Sequence, residues 1–196
     1  FSVSEISLGA WQIGGKGYGN VSRKQANATI EAYLEQGGNF IDTARGYGES
    51  EQILGEYFQR NGGRNHIFIA SKSHGLASEV KNDLETTLRT LQTDYVDLLY
   101  LHSPPSDPDT MNRTLDVYEE LKAEGKIRAI GSSLKGPNVT DEIVVLCRHY
   151  MRTDRIDVLM VIYSVFRQKN LTVLLEAQER NIGIVARTVL ESGFLT

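Results

Sequence analysis

Apolar positions along this chain recur with two alternating periods. Short runs rich in β-branched and aliphatic residues read as strands: Glu5 to Trp11, Phe40 to Thr43, Ile67 to Ser71, Tyr95 to Leu101, Lys126 to Gly131, Ile156 to Tyr163 and Ile182 to Arg187. Between them, apolar residues fall at helical spacing. Ala26, Ile30, Tyr33 and Leu34 form one stripe, opened at about Ser22 and stopped by Gly37 and Gly38. Ile53, Leu54, Tyr57 and Phe58 form the next, from about Ser50 to the Asn61-Gly-Gly stop. Val80, Leu84, Leu88 and Leu91 follow, then Leu115, Tyr118 and Leu121. A helix from Val139 to Tyr150 turns Ile143, Val144 and Cys147 inward, and Leu171 to Glu179 is the last.

Strand and helix thus alternate with a period of roughly 30 residues, the length of a βα unit followed by its next strand. Alternation of this kind predicts a parallel sheet with right-handed crossovers. Two architectures compete. A doubly wound sheet places a phosphate fingerprint after its first strand, but the loop GGKGYG has the wrong spacing and no helix opens on it. A (β/α)8 TIM barrel fits better, because polar side chains collect at the C-terminal tips of several strands. The expectation is one barrel domain over residues 1–196, incomplete, with about seven strands and the C-terminal unit missing after GFLT.

Composition narrows the function classes. With 40% hydrophobic residues in 196, the chain can bury a sizeable core. A net charge of −4 without a basic block argues against nucleic acid. No apolar run approaches the ~18 residues of a membrane span, and FSVSEIS lacks the features of a signal peptide. One cysteine, Cys147, excludes an internal disulfide and suits a reducing compartment. A soluble, cytoplasmic protein is expected.

The candidate chemistry sits at three strand tips. Asp42 ends the second strand, Tyr47 follows in a glycine-rich turn, Lys72 closes HIFIASK and His102 closes YVDLLYLH. A phenol titrates near ~10, too high for ready proton donation at neutral pH, and a neighbouring ammonium stabilises its phenolate. Lys72 can supply that charge, Asp42 can hold Lys72, and His102 can orient a substrate oxygen. Each residue has a plainer reading alone: an ion pair, a rim aromatic, a loop cap. Together they suit proton transfer to a carbonyl that accepts a hydride. His66, His74 and His149 read as surface or helix-end histidines, and four scattered histidines give no metal-ligand spacing.

The stretch FIDTARGYGESEQILG resembles the signature of the aldo-keto reductases, NAD(P)-dependent barrels that reduce aldehydes and ketones. ISLGAWQIGG, IASK, TLRTLQTDYVDLLYLHSPP, YEELKAEGKIRAIGSS and NIGIVARTVLESGFLT resemble further blocks of that family in order. The resemblance implies catalytic roles for Asp42, Tyr47, Lys72 and His102 on a small carbonyl substrate, with NADP(H) expected ahead of NAD(H). It implies that Ala10 and Trp11 line the pocket near the nicotinamide and that Ser132 and Ser133 approach its carboxamide. Arg187, Thr188, Leu190 and Ser192 would border the ring and pyrophosphate. Three positions depart from the family pattern: Leu134 where an asparagine is usual, Met160 in the place of a glutamine, and Arg187 where many members stack an aromatic ring. A nucleotide-binding regulatory or interaction module with little turnover, on the same barrel, is the alternative.

Overall fold

The computed structural model describes residues 2–15, 17, 19–134 and 140–195. Seven strands alternate with six α-helices among them: β1 (Leu8–Gly9), α1 (Arg23–Glu35), β2 (Phe40–Asp42), α2 (Ser50–Asn61), β3 (Phe68–Ser73), α3 (Val80–Leu91), β4 (Val96–His102), α4 (Pro108–Ala123), β5 (Ile127–Ser133), α5 (Asp141–Arg152), β6 (Val158–Ile162), α6 (Leu171–Glu179) and β7 (Gly183–Arg187). The strands lie in sequence order, β1 to β7, and every neighbouring pair is parallel. The sheet curls into an incomplete (β/α)8 barrel.

Local chemistry fixes the helix ends. Ser22 and Gln25 form a reciprocal capping box at the start of α1. Asp107 caps α4, accepting from Thr110 N–H at 2.8 Å, and Pro108 occupies the first turn where its missing N–H costs nothing. Thr140 caps α5. Val139, expected to open that helix, lies outside the described residues.

Two apolar layers result. The outer layer packs the sheet against the helices through residues such as Ile30, Leu54, Leu84, Leu99, Leu115, Ile130 and Leu159. A smaller inner layer fills the curl with Phe40, Ala70, Leu98, Tyr100, Ala129 and Met160. At the N-terminal end of β4, buried Asp97 pairs with Arg64 at 3.0 Å and Arg128 at 2.7 Å and accepts from Ile69 N–H at 2.9 Å. This clamp secures the end of the barrel opposite the strand tips.

The first strand is much shorter than expected. Glu5 to Trp11 keeps only Leu8 and Gly9 in the ladder, paired with Ile41 and Asp42. Before it, the Ile6 carbonyl lies 2.8 Å from the Tyr33 hydroxyl of α1, so a side chain takes the group a strand would pair. After it, the chain turns at once, with Gly14 N–H bonded back to Ala10 at 3.2 Å.

Gly55 lies where α2 crosses α3. A Cβ there would stand 2.5 Å from the Thr90 carbonyl oxygen and within 3.0 Å of Leu91 backbone atoms. Alanine gains up to about 1 kcal/mol of helix propensity over glycine, but neither backbone can yield cheaply, and overpacking costs about 1–3 kcal/mol. The steric cost wins. Gly55→Ala is expected to lower the free energy of urea unfolding by about 1–2 kcal/mol; an unchanged or raised midpoint would refute the close crossing.

Candidate active site

Side chains alternate across a strand, so residues two apart share a face. Phe40, Ala70 and Tyr100 lie in the inner layer. Asp42, Lys72 and His102, each two residues further on, therefore point into the mouth of the curl at the C-terminal ends of β2, β3 and β4. Lys72 is 1% exposed and donates to Asp42 Oδ1 at 2.6 Å and to the Thr43 carbonyl at 2.7 Å. Its ammonium lies 4.7 Å from the centroid of the Tyr47 ring and 5.7 Å from that of Tyr100.

Tyr47 comes from the loop between β2 and α2. Its N–H bonds the Ala44 carbonyl at 2.9 Å, and its carbonyl accepts from Ser50 N–H at 3.2 Å. The first glycine-rich loop packs directly on this turn: a Cβ on Gly14 would fall 1.6 Å from the Tyr47 carbonyl oxygen. Glycine is needed there for close backbone approach. The loop thus supports the tyrosine turn.

Burial raises the Asp42 carboxyl above the usual carboxylate range, while the adjacent Lys72 ammonium and the more distant Arg187 pull it back. Burial also drives the His102 imidazole down to about 3, helped by the charges of His74, Lys72 and Arg187. His102 is therefore neutral at physiological pH. Its Nδ1 is buried without a hydrogen-bond partner among the described residues.

The other expected residues divide by strand face. Ser133 shares the inner face with Ala129, and its hydroxyl contacts Met160 Sδ at 3.4 Å. Ser132, expected near a carboxamide, lies on the opposite face with Ile130 of the outer layer, and its hydroxyl is buried there without a partner among the described residues. The physical reason is the pleat: consecutive serines on one strand cannot both face the mouth. Ala10 is likewise fully buried in the outer layer, whereas Trp11 is exposed beside the first loop. Arg187 follows the inner-layer neighbour Val185 by two residues, and its Nη2 bonds the Leu134 carbonyl at 3.0 Å. Burial lowers its guanidinium below the usual value, opposed by Tyr47. Beyond it, Thr188, Glu191 and Ser192 all adopt positive φ, and Leu190 is exposed. Glu191 accepts from the Ser164 hydroxyl and pairs with Arg167 at 2.7 Å.

Sequence reasoning missed three participants. Glu51 is buried behind Lys72, accepting from Ser71 at 2.6 Å and Thr87 at 3.1 Å, and burial raises its carboxyl above the usual range. Its position three residues before Leu54 and seven before Phe58 was the available signal of an inward face. Tyr100, beneath Lys72, is also on a strand's inner parity. His74 is exposed, as expected, yet its ring stacks on His102 with centroids 3.9 Å apart and planes 21° from parallel. No spacing rule signals that contact.

The aldo/keto reductase family model matches residues 5–196. Among curated relatives, an aldo-keto reductase of Bacillus subtilis, YhdN, is 39% identical over 145 residues, covering 67% of this chain and 43% of that protein. An oxidoreductase of the same organism, YqkF, is 30% identical over 209 residues, covering 99% of this chain and 63% of its own length. The chain thus spans between two fifths and two thirds of these relatives. Among solved structures, the Klebsiella pneumoniae aldo/keto reductase in complex with NADP and acetate superposes with a TM-score of 0.82 at 28% identity, over 98% of this chain and 67% of that one. The holo form of an aldo-keto reductase from Bacillus halodurans superposes with a TM-score of 0.83 at 29% identity, over 99% and 65%. The chain belongs to the aldo/keto reductase family.

Proposed function

We propose that this chain carries the acid–base machinery of an NAD(P)H-dependent reduction of aldehydes or ketones to alcohols, with Tyr47 as the proton donor. The observation that carries this reading is the buried Lys72 ammonium, fixed by Asp42 at 2.6 Å and facing the Tyr47 ring at 4.7 Å. The substrate is a small carbonyl compound. The donor set suits a dinucleotide on the side of the mouth opposite Asp42: the Ser133 hydroxyl, the Arg187 guanidinium and the backbone of residues 188–192, left-handed at Thr188, Glu191 and Ser192. Trp11 borders the same mouth from the turn after β1, while Ala10, expected beside it, packs into the outer layer. NADP(H) is preferred because the Klebsiella pneumoniae relatives were solved with NADP and with NADPH.

When bound, the reduced nicotinamide supplies the hydride to the carbonyl carbon. Tyr47 gives its hydroxyl proton to the carbonyl oxygen as negative charge develops there. The phenolate left behind lies beside Lys72, whose ammonium is held by two acceptors. Asp42 holds that ammonium in place at 2.6 Å. Neutral His102 donates a hydrogen bond to the same oxygen and aligns it, acting as a preorganised dipole rather than a proton source. Met160 and the outward Ser132 remove two polar groups from the carboxamide side, leaving Ser133 and Arg187 as its partners.

Tyr47→Phe is expected to lower kcat for aldehyde reduction by about 100-fold or more, with NADPH affinity kept within a few-fold, by stopped-flow turnover and fluorescence titration. Unchanged turnover in the mutant would remove Tyr47 from the mechanism. Tight NADPH binding with no turnover in either protein would instead favour a cofactor-binding regulatory module.

The neutral His102 also carries a stability signature. Its folded-state value of about 3 lies below the ordinary 6.5, so the unfolded chain takes up a proton that the native state refuses. The associated stability is complete above pH ~6.5 and is lost as pH falls towards 3. The raised carboxyls of Asp42 and Glu51 act in the opposite direction, but equally in wild type and variant. His102→Gln should therefore show a smaller fall in urea midpoint than wild type between pH 7.5 and 5. Parallel losses would refute a buried neutral imidazole.

A further inference from the structure

We propose that His74 is a positioning residue for His102, holding that imidazole by ring stacking in the orientation that addresses the substrate oxygen. The inference rests on the carbonyl-reductase reading for its consequence, and on the geometry of the pair for its substance. An imidazole that presents one nitrogen to a substrate is ordinarily oriented by a hydrogen bond from the other. His102 lacks that device here, because its buried Nδ1 meets no hydrogen-bond partner among the described residues. Rotation about the last side-chain bond of histidine is soft and broad, so the strand alone does not fix the ring plane. What lies against the plane is His74, with ring centroids 3.9 Å apart and an interplanar angle of 21°.

His74 is itself anchored. It directly follows β3, whose last residue, Ser73, donates to Asp83 Oδ2 at 2.6 Å and accepts from Gly75 N–H at 2.9 Å. These bonds fix the backbone on either side of His74 and tie it to α3. The stack thus links the tip of β3, which carries Lys72, to the tip of β4, which carries His102. In this role His74 acts through His102 and takes no part in proton transfer.

The test compares His74→Ala, which removes the ring, with His74→Phe, which keeps a stacking surface without ring nitrogens. His74→Ala should lower kcat/KM for an aldehyde about 3- to 10-fold, the range one ring contact spans, with the Kd for NADPH unchanged. His74→Phe should stay within about 2-fold of wild type. In a His102→Gln background, His74→Ala should add no further loss, as expected when one residue acts only through the other. A second readout needs no turnover. The NMR order parameter of the His102 ring Cε1–Hε1 bond, assigned by its disappearance in His102→Gln, should fall in His74→Ala and be restored in His74→Phe. An unchanged order parameter in His74→Ala overturns the proposal, whatever the activity. A full additional loss in the His102→Gln background overturns it too. Absence of turnover in wild type would count against the reductase reading alone, and the order parameter would still decide the role of His74.

Discussion

The buried ion pair between Lys72 and Asp42 is the constraint on which the site depends. Withdrawing an ammonium from water is costly, and a lone buried charge would lose its proton instead. Here the cost is offset by a carboxylate at 2.6 Å and a backbone carbonyl at 2.7 Å. Both acceptors come from β2 and the residue after it, while the donor comes from β3. The pair can therefore exist only where those strands are adjacent and in their observed register, with Asp42 opposite Ala70. A one-residue slip would turn Lys72 out of the mouth and into the helix layer.

That dependence explains how the remaining parts are spent. The inner layer beneath the pair is thin, and Gly131 is the partner of Tyr100 in the β4–β5 register. A Cβ on Gly131 would approach the Tyr100 ring to 2.4 Å, so the strand gives up a side chain to admit the aromatic floor under Lys72. The first loop is glycine-rich for a similar reason. Gly14 admits the Tyr47 carbonyl at a distance that no side chain tolerates, and the tyrosine turn is set by backbone packing on both sides.

The two halves of the mouth differ in character. On β2 to β4, Asp42 and Lys72 are buried and paired, and His102 is stacked on His74. On β5 to β7, buried Ser133 leans on a thioether, Arg187 reaches back to a main-chain carbonyl, and the following segment runs through left-handed residues.

Much of this was legible from the sequence by itself. Two hydrophobic periods determined the alternation of strands and helices, because burial on one face of a helix or both faces of a parallel strand leaves a regular trace. Ser22 and the glycine stops after the first two helices marked helix ends, because those effects are local, whereas the Asp107 and Thr140 caps came from the structure. Asp42, Lys72 and His102 could be named because each ends an apolar run, and the order of motifs pointed to the family. Tertiary structure decided what depends on partners distant in the chain. Tyr33 and the Trp11 turn took the hydrogen-bonding groups that would have lengthened β1. The pleat, read against the inner and outer layers, turned Ser132 and Ala10 away from the mouth while leaving Ser133 and Arg187 in it. Glu51 became a buried acid only once Ser71 and Thr87 closed around it. His74 and His102 lie 28 residues apart, and their stacking follows from the placement of two neighbouring strand ends. Local composition encodes propensity and burial; contact between rings needs three dimensions.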